Sequence, residues 1–335
     1  MAVKVGINGF GRVAKACLRA SFEHGDVDVV AVNSTRKPDF LAHMLKYDSV
    51  YGIFDAEVEA REQSLIVNGH RIEILAERDP SLLSWEDKGV EIVLEATGSF
   101  NNREAAAQHF KGGAKKVIIT APGSDVDLTV VMGVNEDQYD PAKHDIVSNA
   151  SCTTNCLAVV CKVLHEKIGI KKGLMTTIHS YTNDQRLLDI THSDYRRARA
   201  AAVSMIPTTT GAARNVGLVL PELEGKINGV AVRIPTFAVS LVDLVAEFEK
   251  EINEKEINQL LEEASKNEMK AYLNVSYEPL VSIDYRQSRY SAVVDALSTM
   301  VVGDKMAKIL AWYDNEWGYS TRVLDLAVFL AKAGL

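Results

Sequence analysis

Six residues near the start of the chain, Gly9-Phe10-Gly11-Arg12-Val13-Ala14, constrain its fold more than any other stretch. They follow Val3-Lys4-Val5-Gly6-Ile7-Asn8, an apolar run of strand length, and open a segment with helical periodicity that runs to about His24. G-x-G-x-x-A between a strand and a helix is a dinucleotide fingerprint. The first glycine makes the tight turn, the second lets backbone approach a pyrophosphate, and the small third residue lets the helix pack closely on the strand. Unpaired N–H groups at the helix start then receive the phosphates. Gly9, Gly11, Arg12 and Val13 are therefore cofactor-binding candidates.

The next strand, residues 27–33, ends where a dinucleotide site usually places an acid for the adenosine ribose. Here the chain reads Ser34-Thr35-Arg36-Lys37. Two hydroxyls and two cations, with no carboxylate to repel a 2′-phosphate, suit NADP better than NAD. Ser34, Thr35 and Arg36 join the cofactor set, as does Arg78. Alternation continues with a helix at 40–46, strands at 64–67, 71–77 and 90–96, a helix at 103–110, and strands at 116–120 and 128–134. This pattern predicts an α/β Rossmann domain over residues 1–150, a doubly wound and mostly parallel sheet. Thr97 and Thr120 fall at strand ends, where such sheets bind ligands.

Past residue 150 the pattern changes. Ser148-Asn149-Ala150-Ser151-Cys152-Thr153-Thr154-Asn155-Cys156 links a short apolar strand to a helical segment reaching Ile168, with Thr153 or Thr154 as the expected N-cap. A thiol at a helix N-terminus is favoured as thiolate, and the same N–H groups can hold an oxyanion. The alternative is a buried structural cysteine. His179, in a strand at 174–181, is the candidate base for Cys152, although a lone histidine in an apolar strand also serves as a satisfied core residue. Strands at 229–234 and 239–248, a helix at 254–266, and a strand pair 292–302 and 306–312 around Gly303-Asp304 follow. Long strands with few crossover helices predict an α+β catalytic domain over 151–315 with a mostly antiparallel sheet. A last helix, within about 316–335, is expected to pack back on the first domain.

Composition narrows the function classes. At 47% hydrophobic and 24% charged residues, the 335-residue chain is globular rather than disordered. A net charge of −8 does not indicate nucleic acid, and no apolar run approaches the ~20 residues of a membrane span. Four cysteines are too few for a disulfide scaffold, and Cys152-x-x-x-Cys156 fits neither a zinc pair nor a redox motif, so no metal is expected. The first strand begins at Val3 without a preceding leader, which together with the cysteine usage predicts a cytoplasmic protein.

Ile7-Asn8-Gly9-Phe10-Gly11-Arg12, Leu45-Lys46-Tyr47-Asp48-Ser49, the block 148–155, Pro207-Thr208-Thr209-Thr210-Gly211-Ala212-Ala213 and Trp312-Tyr313-Asp314-Asn315-Glu316 resemble the phosphorylating glyceraldehyde-3-phosphate dehydrogenase family. The resemblance implies that Cys152 attacks the aldehyde of D-glyceraldehyde 3-phosphate and that His179 moves the protons. An acyl-thioester is then released by inorganic phosphate as 1,3-bisphosphoglycerate. It implies Thr182 and Arg233 for the substrate phosphate. Ser151, Thr153, Thr210, Gly211 and Arg197 would hold the attacking phosphate, with the choice among Arg196, Arg197 and Arg199 open. Asn315 would hold the nicotinamide carboxamide, and the assembly would be a homotetramer.

Departures from the family pattern point one way. Ala14-Lys15 replaces a Gly-Arg pair, Ser34 replaces the usual acid, and Ile190-Thr191 replaces a Leu-Pro pair. In the family's tetramer that loop reaches a neighbour's adenosine site, which makes Thr191 a cofactor candidate. Together these favour an NADP-preferring paralogue over an NAD-dependent one. The segment Pro235-Thr236-Phe237-Ala238-Val239 also lacks an asparagine that many members carry. Two alternatives remain: an erythrose-4-phosphate dehydrogenase on the same scaffold, and a non-catalytic binding paralogue.

Overall fold

The computed structural model describes residues 2–335; Met1 lies outside the described residues. The chain divides into two compact units. The first comprises residues up to Val130, Glu136–Ser151 and Ser320–Leu335; the second comprises Val131–Asn135 and Cys152–Tyr319.

In the first unit the chain forms β1 (Val3–Asn8), α1 (Arg12–His24), β2 (Val27–Asn33), α2 (Pro38–Lys46) and a short hairpin of β3 (Tyr47–Asp48) with β4 (Gly52–Ile53). Next come β5 (Val58–Arg61), β6 (Ser64–Val67), β7 (His70–Leu75), β8 (Ile92–Glu95), α3 (Arg103–Ala106), β9 (Lys116–Ile119), β10 (Leu128–Thr129) and β11 (Ile146–Ser148). Nine strands make one sheet in the order β10-β11-β9-β8-β1-β2-β7-β6-β5. All pairs from β10 to β7 are parallel, and β6 and β5 add an antiparallel edge. The Rossmann topology of the sequence reading is thus present. Strand order reverses at β1, which has β2 on one side and β8 on the other, and the carboxyl ends of these strands define the ligand-binding edge. The central strands β8 and β9 are buried at every residue because helices cover both faces of a parallel sheet.

The second unit contains α4 (Cys152–Ile168), β12 (Ile170–Ser180), β13 (Ile206–Thr209), α5 (Ala212–Val219), β14 (Ile227–Ile234), β15 (Ser240–Phe248) and α6 (Glu254–Lys266). It continues with β16 (Leu273–Ser276), β17 (Ala292–Asp295), β18 (Met300–Val302), β19 (Met306–Tyr313) and the start of α7 (Trp317–Ala333). Its sheet runs β13-β14-β12-β15-β19-β17-β16, with β18 also on β19. The pairing is mixed with an antiparallel majority; β12–β14 and β16–β17 are the parallel pairs. β15 alternates buried and half-buried residues along its length, the period-2 signature of a sheet with one packed face.

Three local expectations are corrected. The strand expected over 128–134 stops at Thr129, because the chain turns at Val131–Val134, closed by Val134 N–H to Val131 C=O. The strand expected over 292–302 is two strands, β17 and β18, separated by a 3-10 turn at Ala296–Ser298, and both pair with β19. Arg103–Phe110 is one α-turn followed by 3-10 geometry over Ala107–Gly112.

Candidate active site

The chain leaves β11 at Ser148 and enters α4 at Cys152 in three residues. Ala150 makes the turn in the left-handed region, φ 54°, although it carries a Cβ; that conformation costs about 1 kcal/mol for an L residue. The helix begins at Cys152 itself, so Thr153 and Thr154 lie inside its first turn rather than at the N-cap. The Thr153 hydroxyl is spent elsewhere, 2.8 Å from the Tyr313 hydroxyl, which also meets Thr177 Oγ1 at 2.8 Å.

Cys152 Sγ lies 3.6 Å from His179 Nε2. His179 is the penultimate residue of β12, and the parallel register sets Arg233 of β14 directly opposite it. On the far side of the ring, His179 Nδ1 is 2.7 Å from the Ser180 carbonyl, and Arg233 also reaches both Nδ1 and that carbonyl. Nδ1 thus faces both an acceptor, the Ser180 carbonyl, and a donor, the Arg233 guanidinium, while Nε2 faces the sulfur. Burial, followed by the Arg233 charge, holds His179 down at about 3. Burial pushes the Cys152 thiol up, with Arg233 and the Thr153 side chain and N–H pulling the other way. Burial thus opposes the thiolate that the helix N-terminus alone would favour.

Arg233 is the charged group around which this region is built. It is itself held below the usual guanidinium range, chiefly by burial. Its Nε is buried and has no hydrogen-bond partner among the described residues. A desolvated cation with an unused donor fits an anionic ligand. Thr182 lies two residues past the end of β12 and is held by Gln185 Oε1 through both its N–H, at 2.9 Å, and its hydroxyl, at 3.3 Å.

The three neighbouring arginines separate clearly. Arg199 pairs with exposed Asp189, and Arg196 reaches only the Pro207 carbonyl at 3.5 Å. Arg197 donates to Thr208 Oγ1 at 2.8 Å, Asp184 Oδ2 at 2.7 Å and the Thr209 carbonyl at 3.2 Å, and is close enough to Arg233 to repel it. Asp184 is fixed in turn by His192, 3.2 Å away, whose Nδ1 accepts the Asp194 N–H. Thr210 and Gly211 lead α5: the Thr210 hydroxyl accepts the Ala212 N–H, and Gly211 at the N-cap brings no capping side chain. A cavity of about 660 Å³ opens beside Arg196, Thr208, Thr210 and Arg214, but Cys152 is not in its wall. The chemistry follows the thiol–imidazole pair, not the volume.

Asn315 Oδ1 accepts from Ser180 Oγ at 2.9 Å and Ser240 Oγ at 3.0 Å. Two hydroxyls on the oxygen leave the amide nitrogen as the donor available to a ligand. Ser180, Ser240, Tyr313 and Thr177 are given no role in the sequence reading. Each is a buried polar residue in a strand, the one signal available, but partners 60 to 160 positions away are invisible to local pattern.

In the first unit the dinucleotide candidates gather at the carboxyl edge of the sheet. Gly9 has φ 108°, and a Cβ there would sit 3.0 Å from the Ala96 carbonyl carbon and oxygen, so only glycine fits the turn. Gly11 leads α1 with no side-chain cap, which leaves its first N–H groups for a phosphate. Arg12 is ion-paired with Asp48 and Val13 is half-buried within α1. Ser34 is half-buried at the end of β2 and its Oγ accepts the Arg36 N–H at 3.4 Å. Thr35, Arg36 and Arg78 are exposed. Thr97 is bound to Glu95, and the Thr120 hydroxyl donates to the Glu95 carbonyl at 3.0 Å. These residues fit a dinucleotide. Thr191 lies in the second unit on an exposed loop, its carbonyl accepting from Arg186 at 3.2 Å. Among the described residues no cluster of His, Cys, Asp or Glu suits a metal, and no helix is long and apolar enough to cross a membrane.

A dinucleotide-type sheet joined in one chain to a cysteine–histidine pair is the arrangement of a thiol-dependent oxidoreductase using NAD(P). Residues 3–103 match the family model for the glyceraldehyde 3-phosphate dehydrogenase NAD binding domain, and residues 151–315 match the model for the C-terminal domain. The chain is 59% identical over 335 residues to glyceraldehyde-3-phosphate dehydrogenase 1 of Bacillus subtilis, covering 100% of both chains. It is equally similar, 59% over 335 residues and 100% of both, to glyceraldehyde-3-phosphate dehydrogenase of Geobacillus stearothermophilus. It is 53% identical to a chloroplastic glyceraldehyde-3-phosphate dehydrogenase of Arabidopsis thaliana, over 98% of this chain and 84% of that one. The chain belongs to the glyceraldehyde-3-phosphate dehydrogenase family.

Proposed function

We propose that the chain catalyses the reversible phosphorylating oxidation of D-glyceraldehyde 3-phosphate to 1,3-bisphosphoglycerate, with NADP preferred over NAD. The observation that carries the reading is the 3.6 Å approach of Cys152 Sγ to Nε2 of His179, beside a buried arginine with an unused donor.

Cys152 Sγ attacks the aldehyde carbon while its proton passes to His179 Nε2 and on to the new alkoxide, giving a hemithioacetal. His179 Nε2 then takes the hydroxyl proton as the carbon is oxidised to a thioester. The bound nicotinamide supplies the hydride acceptor. Inorganic phosphate attacks the thioester, the acyl phosphate leaves, and His179 returns the proton to sulfur. Arg233 and Thr182 bind the substrate phosphate; Arg197, Thr210, Gly211, Ser151 and Thr153 serve the incoming one. An anion on Arg233 offsets the charge that depresses His179, so the base gains proton affinity when substrate is bound.

The preference for NADP is supported by the end of β2. Ser34 replaces an acid there, and among the described residues neither Arg36, Lys37 nor Arg78 is engaged in an ion pair that would occupy it. A homotetramer is supported by the apolar side chains that the 187–205 segment exposes, Leu187 at 86% and Tyr195 at 89% among them. Four free cysteines support a reducing, cytoplasmic setting. The test is kcat/KM with glyceraldehyde 3-phosphate, measured with NADP and NAD, with and without phosphate. Activity that requires phosphate and favours NADP is expected. Phosphate-independent turnover would reassign the enzyme to a water-using reaction, and an NAD advantage would overturn the cofactor preference.

A further inference from the structure

The final residues of three neighbouring strands meet at the switch point of the dinucleotide-binding sheet. Asn33 of β2 is in register with Asn8 of β1, and Asn8 with Glu95 of β8. Their side chains form one continuous chain of hydrogen bonds. At one end the Glu77 N–H donates to Asn33 Oδ1 at 3.0 Å; Asn33 Nδ2 donates to Asn8 Oδ1 at 2.7 Å; Asn8 Nδ2 donates to Glu95 Oε2 at 2.6 Å. At the other end Trp85 Nε1–H meets His109 Nδ1 at 3.1 Å, and His109 Nε2 meets the same Glu95 oxygen at 3.0 Å. Thr97 gives its N–H, at 2.8 Å, and its hydroxyl to Glu95 Oε1.

Both ends of this chain are groups that can only donate, an indole N–H and a backbone N–H, and each fixes the polarity of every bond inward. His109 must therefore accept on Nδ1 and donate from Nε2, and Asn8 must present its NH2 to Glu95. The group where the two arms meet accepts from both sides and from the Thr97 N–H as well, the bonding pattern of a carboxylate. Glu95 and His109 are fully buried side chains. Among the described residues no lysine or arginine reaches ion-pair distance of Glu95; its partner in the only pair recorded is the neutral His109.

We propose that the buried Glu95 carboxylate, held by Asn8, His109 and Thr97 with no cation beside it, makes the site discriminate between the oxidised and the reduced cofactor. The inference rests on the dinucleotide reading of this sheet. Hydride addition removes the nicotinamide's positive charge, so the reduced cofactor carries one more net negative charge. A fixed, unscreened carboxylate at the carboxyl edge of β8 disfavours the reduced form more. Because Asn8 precedes the glycine turn, Asn33 precedes Ser34, and Thr97 is itself a cofactor candidate, the same carboxylate also sets the relative positions of three binding loops. Glu95 is a positioning and selectivity residue; it need not touch the reacting atoms.

Two variants separate charge from shape. E95Q keeps the size and removes the charge; E95D keeps the charge and shortens the reach. Wild type and both variants are titrated by calorimetry with the oxidised and then the reduced dinucleotide, without substrate. We expect both variants to bind more weakly, E95D with the wild-type ratio of the two dissociation constants. In E95Q the ratio Kd(reduced)/Kd(oxidised) should fall about threefold or more. A ratio unmoved in E95Q, or moved equally in E95D, overturns the proposal. Failure of the dinucleotide reading itself shows differently, as no binding of either form by the wild type. Should E95Q not fold, 15N NMR of His109 in the wild-type protein decides. A neutral ring protonated on Nε2 is expected, and a proton on Nδ1 overturns it.

Discussion

Each unit buries one charge at its functional edge, and the two charges are treated in opposite ways. Glu95 is closed: Asn8, His109 and Thr97 meet both of its oxygens. Arg233 is left open: its Nε has no partner among the described residues, and its NH1 is shared between His179 and the Ser180 carbonyl. A buried charge whose bonds are all made within the protein organises its surroundings. One whose bonds are incomplete awaits a ligand. On the proposed function, the cofactor edge is preassembled and the substrate edge is the one that the substrate's own anion completes.

The largest effect should come from removing the nucleophile. Cys152→Ser should lower kcat by at least ~10³-fold with Tm within a few degrees of wild type, because an alkoxide is far harder to form than a thiolate. Retained kcat would detach the chemistry from α4 altogether.

The contrast between the two charges is broken most directly by deleting each. Arg233→Ala should raise KM for the phosphorylated substrate by roughly 10- to 100-fold, the worth of one or two charge-assisted hydrogen bonds. It should leave folding stability unchanged or higher, since an incompletely paired buried cation disappears. Glu95→Gln should behave the other way, losing about 1–3 kcal/mol of stability, because an amide oxygen that keeps Asn8 and His109 forces the NH2 against the Thr97 N–H. Urea unfolding of both variants checks the pair; equal destabilisation would erase the distinction between open and closed.

A smaller effect sharpens the reading of the cofactor edge. Ser34→Asp, placing a carboxylate at the end of β2, should cut the NADP/NAD ratio of kcat/KM by about tenfold through like-charge repulsion. An unaltered ratio would mean that the hydroxyl and the cations beside it take no part in choosing the cofactor.

A separate effect is on pH-dependent stability. His179 is held at about 3 in the folded protein, against an ordinary 6.5 in the unfolded chain. Between those values the unfolded chain binds a proton that the native site refuses, so native stability falls as pH drops from 6.5 toward 3 and is unaffected above that window. His179→Gln should flatten this acid slope in urea midpoints measured from pH 7 to 4. Parallel slopes would show that His179 is not the depressed group.

Much of this was legible in the sequence, and what was not has physical reasons. The fingerprint at Gly9–Ala14 and the strand–helix alternation fix the Rossmann unit because both are local patterns with a steric cause. The choice among Arg196, Arg197 and Arg199 could not be read from spacing: consecutive residues in an irregular loop are sorted by distant partners, here Asp184 and Thr208. The start of α4 was displaced by one or two residues because Thr153 resembles a cap, while its hydroxyl is claimed by Tyr313, 160 positions away. The thiolate expected of Cys152 rested on the helix terminus; burial, which acts against it, is a property of the folded unit. Glu95 did leave a trace, a single acid closing an otherwise apolar strand.

The central claim, that Cys152 carries the substrate as a thioester which only phosphate releases, is tested most directly by intact-protein and peptide mass spectrometry. The protein is mixed with glyceraldehyde 3-phosphate and oxidised cofactor, without phosphate, and quenched in acid. An added mass equal to the 3-phosphoglyceroyl group on the Cys152 peptide, discharged when phosphate is supplied, is predicted. Cofactor reduction that continues over many turnovers without phosphate, leaving Cys152 unmodified, would contradict the account.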